Sequence, residues 1–86
     1  MPEISRFYGI SIYIYYKEHQ PPHFHAMYGD FEAQFTIPNF DYYRGNLPIR
    51  AEKLVREWAA MHSKELQTVW NQAQKYQVLS KIAPLQ

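Results

Sequence analysis

Eighty-six residues make one domain and not two, and the absence of cysteine rules out disulfides and thiolate zinc sites. Nine Lys and Arg against eight Asp and Glu leave a formal charge of +1, too balanced for charge alone to announce a nucleic-acid binder. Aromatic residues at 17%, nearly equal to the 20% that are charged, argue against disorder, and no segment approaches the ~20 apolar residues of a membrane span.

The chain falls into a sheet half, residues 4–45, and a helical half, residues 47–76, followed by a tail, residues 77–86. No linker separates the halves, so they read as two layers of one α+β domain. A short extended piece is expected at residues 4–8, with Gly9 as a bend. Residues 10–16 then alternate Ile10, Ile12, Ile14 and Tyr16 against Ser11, Tyr13 and Tyr15, the period of a strand. Residues 17–22 form a polar loop in which Pro21-Pro22 excludes a strand interior.

Residues 23–28 and 31–37 form the next two strands, joined by Gly29-Asp30 as a two-residue hairpin turn. That turn fixes the register. Tyr28 faces Phe31, Ala26 faces Ala33 and Phe24 faces Phe35 on an apolar side. Met27 faces Glu32, His25 faces Gln34 and His23 faces Thr36 on a polar side. Residues 40–44 supply a short fourth strand, giving a three- to four-stranded antiparallel sheet.

The helix is expected to open with Asn46 as N-cap and Pro48 in its first turn. Ala51, Val55, Trp58, His62, Leu66, Val69, Ala73 and Tyr76 recur at spacings of three and four, with Leu54, Ala59 and Trp70 widening the stripe. One long helix is the first expectation and a kink near His62-Ser63 the second. Unbroken, it would span about 45 Å, long enough to project toward a partner or a second copy of the chain. The apolar tail residues are expected to dock, with Pro84 stopping any helix.

Chemistry concentrates in His19-Gln20-Pro21-Pro22-His23-Phe24-His25. On a strand His23 and His25 share a face while Phe24 turns to the core, so three imidazoles can converge. One reading is a metal site of His19, His23 and His25, whose open fourth position matches catalytic zinc. In that reading no carboxylate is evidently placed as a further ligand, Glu32 being diagonal to His25.

A second reading is metal-free acid–base chemistry by neighbouring histidines, which suits cleavage of RNA by its own 2′-OH. Tyr13 and Tyr15 would stack on bases, and Arg44, Arg50 and Lys53 would meet phosphate near the helix start. A third reading makes the histidines ordinary surface and the helix charges i,i+4 pairs such as Glu52–Arg56. His62 reads as packed, and Trp58 and Trp70 as core or interface. No Gly-rich phosphate loop, nucleophile elbow or EF-hand pattern is present.

The segments Met1-Pro2-Glu3-Ile4-Ser5-Arg6-Phe7-Tyr8-Gly9-Ile10, Tyr15-Tyr16 and His19 through His25 resemble the domain-of-unknown-function family 4160. Leu47-Pro48, Arg50-Ala51, Leu54-Val55, Glu57-Trp58-Ala59, His62, Glu65-Leu66, Trp70 and the tail from Leu79 to Leu85 carry the same likeness. The resemblance implies a small bacterial or archaeal protein often encoded beside the domain-of-unknown-function family 2442, an arrangement like a toxin–antitoxin pair. It implies a small cognate protein partner and assigns no catalytic residues.

The resulting expectation is a cytoplasmic, RNA-interacting component of such a pair, a ribonuclease toxin being its enzymatic form. His23 and His25 would act as the proton-transfer pair, His19 as helper, and Arg50 or Lys53 as phosphate contact, with no cofactor. Open beside it stand a non-enzymatic antitoxin or transcriptional-regulator module and a small zinc-binding protein.

Overall fold

A computed structural model describes residues 2–86. Five strands run in chain order as an antiparallel meander: β1 (Glu3–Phe7), β2 (Ile10–Tyr13), β3 (His23–Tyr28), β4 (Phe31–Thr36) and β5 (Tyr42–Gly45). Two helices follow, α1 (Ile49–Met61) and α2 (Ser63–Gln74). The α+β class is as expected, with one strand more than the expected maximum and a broken helix. No helix among the described residues is long and apolar enough to cross a membrane.

Local chemistry explains the hairpins. Tyr8 and Gly9 both sit at positive φ (49 and 78), so Phe7 pairs directly with Ile10 across a two-residue turn. Gly29, at φ 57, opens the β3–β4 turn, and all six expected pairs from His23–Thr36 to Tyr28–Phe31 form. The expected strand through residues 10–16 ends early, at Tyr13. Ile14 still enters the core, but Tyr16 leaves the alternation and stacks on Tyr76 at the surface.

One face of the sheet is apolar. Ile10, Ile12, Phe24, Ala26, Ala33 and Phe35 are all buried there. Trp58 of α1 packs on Phe7 and Phe24, with ring centroids 5.2 and 6.0 Å away. The Arg56 guanidinium lies over Phe35 and Tyr42 and is paired with Glu52 at 2.9 Å. The tail closes the edge. Ile82 donates its N–H to the Ile4 carbonyl of β1, and the Trp58 indole donates to the Ala83 carbonyl.

The single long helix is corrected by the break at His62, where the backbone leaves the helical region (φ −127, ψ 28). The longest extent of the fold is 33 Å, too short for a straight helix of about 45 Å. The stripe itself gives the reason. At about 100° per residue Trp58 and Trp70 would point about 120° apart on one straight helix. The break lets both be buried, with Trp70 reaching His23 at a centroid distance of 5.3 Å. The Asn46 N-cap is corrected too. Helix α1 is capped at Pro48 without a side-chain bond, and the Leu47 N–H is taken instead by the Tyr42 hydroxyl.

Candidate metal centre

Hairpin parity sends His23 and His25 to the face opposite Phe24, as expected, and their rings lie 5.2 Å apart. They are not surface groups. His23 is 2% exposed and His25 5%. Trp70 and Tyr43 flank the His23 ring, and Tyr15 meets the His25 ring edge-on at 4.5 Å. Burial, with Glu32, Tyr13 and Glu18 nearby, holds the Tyr15 phenol above its ordinary pKa, so it stays neutral in neutral solution.

A carboxylate closes the cluster. Glu18 places Oε1 2.7 Å from His25 Nε2 and Oε2 3.3 Å from His23 Nε2. Its backbone is held by α2: the Lys17 N–H donates to the Ala73 carbonyl, and the Gln74 amide donates to the Glu18 carbonyl. The turn passes through Lys17 at φ 56, a left-handed conformation that suits glycine better than lysine. The second nitrogen of each ring is also engaged. His23 Nδ1 donates to the Pro21 carbonyl at 2.9 Å, and His25 Nδ1 lies 3.2 Å from Glu32 Oε2.

The number of protons decides how the cluster is satisfied. All four partners are acceptors when Glu18 and Glu32 are ionised, and a neutral imidazole offers one N–H. Two neutral rings therefore satisfy two of the four contacts. On a neutral His23 ring the Pro21 carbonyl holds the proton on Nδ1, and Nε2 then faces a carboxylate oxygen without a proton between them. Two further protons, or one divalent cation, would resolve the opposed lone pairs. Glu18, His23 and His25 each offer one ligand atom, and these lie within 4.8 Å of one another.

Several expected site residues lie elsewhere. His19 is exposed and outside the converging group, which consists of His23, His25 and Glu18. Tyr13 pairs with His25 in register and stacks parallel to Tyr15, so both tyrosines do share the histidine face. Arg44 borders a cavity of about 120 Å³ with Glu18, His19, His23, Gln34 and Tyr43. Arg50 instead borders a separate cavity with Tyr8 and Tyr28 on the helix-covered face, and Lys53 is exposed on the same helix. Neither is brought to the histidines.

Glu18 is what sequence reasoning missed, along with the reach of Glu32 to His25. Strand parity located the histidines, but a loop has no period from which to place Glu18. The available signal was an acidic residue directly before His19 in a loop stiffened by two prolines.

The sequence model of a domain of unknown function, DUF4160, matches residues 9–71. The chain belongs to that family. The matched span contains Glu18, His23, His25, Glu32, Arg44 and Trp70, whereas β1 and the tail fall outside it. No curated protein and no solved structure matches the chain.

Proposed function

We propose that this family member is a metal-binding domain in which Glu18, His23 and His25 hold one divalent first-row ion, zinc foremost. The observation that carries the reading is the convergence of Glu18, His23 and His25, whose ligand atoms lie within 4.8 Å of one another, with both rings oriented by an acceptor on the far nitrogen. An Nδ1–H given to a carbonyl or carboxylate, leaving Nε2 for the ion, is how metal-bound histidines are commonly fixed. Ligand atoms around one tetrahedral zinc lie about 3.3 Å apart, given bonds of ~2.0–2.2 Å. The 3.3 Å separation of His23 and Glu18 fits, and the group as a whole, whose ligand atoms lie within 4.8 Å of one another, would draw together around an ion.

Three protein ligands leave a further coordination position, the arrangement of catalytic rather than structural zinc. Two imidazoles and a carboxylate also suit iron(II), so metal identity is part of the test. The metal-free ribonuclease reading needs two histidines open to a 2′-OH, and the burial of both rings weighs against it. RNA or another phosphodiester is better accommodated as a substrate of metal-activated water.

The test is the metal content of protein purified without chelators, followed by titration with zinc, cobalt(II) and iron(II). One equivalent is expected for wild type and for His19→Ala. Glu18→Ala and His25→Gln should lose it while keeping wild-type circular dichroism. A folded wild type that takes up none of the three ions contradicts the proposal.

A further inference from the structure

We infer that the open side of this site is an oxyanion subsite, with Arg44 as the anion contact; the inference rests on the metal reading. The cavity of about 120 Å³ is lined by Glu18 and His23, which belong to the ligand set, and by His19, Gln34, Tyr43 and Arg44. An ion held by the first two would therefore border the space lined by the last four. The volume corresponds to roughly four waters at ~30 Å³ each, room for one small oxyanion or the terminal oxyanion of a larger ligand.

The sheet aims Arg44 at this space. His25 pairs with Gln34, and Gln34 with Arg44, so the three form a row across β3, β4 and β5 on one face. With strands ~4.8 Å apart, Arg44 stands about 10 Å from His25 along that row, within reach of a long side chain and an intervening anion. Its guanidinium rests 5.3 Å from the Tyr43 ring centroid. Among the described residues no carboxylate pairs with it. A planar fork of N–H donors beside a vacant ligand position is suited to bridging two oxygens of one anion.

Charge makes the binding conditional. A divalent ion held by Glu18, His23 and His25 would add two positive charges beside the space that Arg44 borders. Metal and anion therefore bind in positive cooperation, and each strengthens the other by the same factor. The ligand class is a small oxyanion, phosphate or carboxylate.

The experiment loads the full chain with one equivalent of cobalt(II) and titrates inorganic phosphate and, separately, acetate, reading the visible ligand-field bands. Wild type should show a saturable change with at least one anion. Phosphate alone would assign a phosphate-type ligand, and acetate alone a carboxylate. Arg44→Gln should weaken that response about tenfold or more, the scale of one charge-assisted hydrogen bond. Arg50→Gln, on the opposite face, should match wild type, and metal-free protein should retain no phosphate or acetate in equilibrium dialysis. Stoichiometric cobalt without any anion response, or an Arg44→Gln response equal to wild type, overturns the subsite and leaves the metal site standing. Failure of wild type to bind cobalt or zinc removes both.

Discussion

The two faces of the sheet are built from the same strands and solve opposite problems. The face under α1 is filled by Phe24, Ala26, Ala33 and Phe35 against Trp58, and needs nothing added to be complete. The other face buries His23 and His25 almost as deeply, but sets their rings against the carboxylates of Glu18 and Glu32. Burying ionisable groups costs stability even when they are paired. Strand parity alone therefore places the tightly packed core on one face and the candidate site on the other.

The largest effect expected is on the packed face. Trp58 is fully buried, touches Phe7 and Phe24, and donates to the tail at Ala83. Trp58→Ala should cost about 3–5 kcal/mol in urea unfolding, a large share of the ~4–13 kcal/mol usual for a chain of this size. A loss below about 1 kcal/mol would blur the contrast between the faces.

Next comes the histidine face, where stability should depend on the ion. Zinc at a hundredfold over its Kd should stabilise wild type by about 2.7 kcal/mol, read as a rise in Tm. In Glu18→Gln the rise should vanish.

A smaller effect tests how β5 is held beside Glu32. Gly45 sits at φ 67, and a Cβ there would lie 2.2 Å from the Glu32 carbonyl oxygen. Gly45→Ala should cost more than ~1 kcal/mol and lower zinc affinity by shifting the strand that carries Glu32. Smaller still is Tyr42→Phe, about 1 kcal/mol. The phenol donates to Glu52 and accepts the Leu47 N–H at the entry to α1. That loss should leave metal binding unchanged, since these partners lie away from Glu18.

How legible each face was in the sequence follows from the same contrast. The β3–β4 register was readable pair by pair because a two-residue turn around Gly29-Asp30 permits one parity, and parity alone assigns His23 and His25 to one face. The helix break was not readable as a first choice, because the apolar spacing runs on through His62. Only the need to bury Trp58 and Trp70 in different places decides it. Tyr16 kept the strand period, yet β2 had already ended. Glu18 was unreadable for a different reason: its position depends on Lys17 and on contacts with Ala73 and Gln74, more than fifty residues away in sequence.

Glu18, His23 and His25 are proposed to bind one ion together. X-ray absorption at the metal edge of the zinc-loaded chain tests it most directly. Wild type should hold one equivalent of zinc with only nitrogen and oxygen neighbours at about 2.0–2.1 Å and scattering from two imidazoles, and folded His25→Gln should hold none. Sulfur neighbours, a spectrum unchanged by His25→Gln, or no stoichiometric zinc in folded wild type would contradict it.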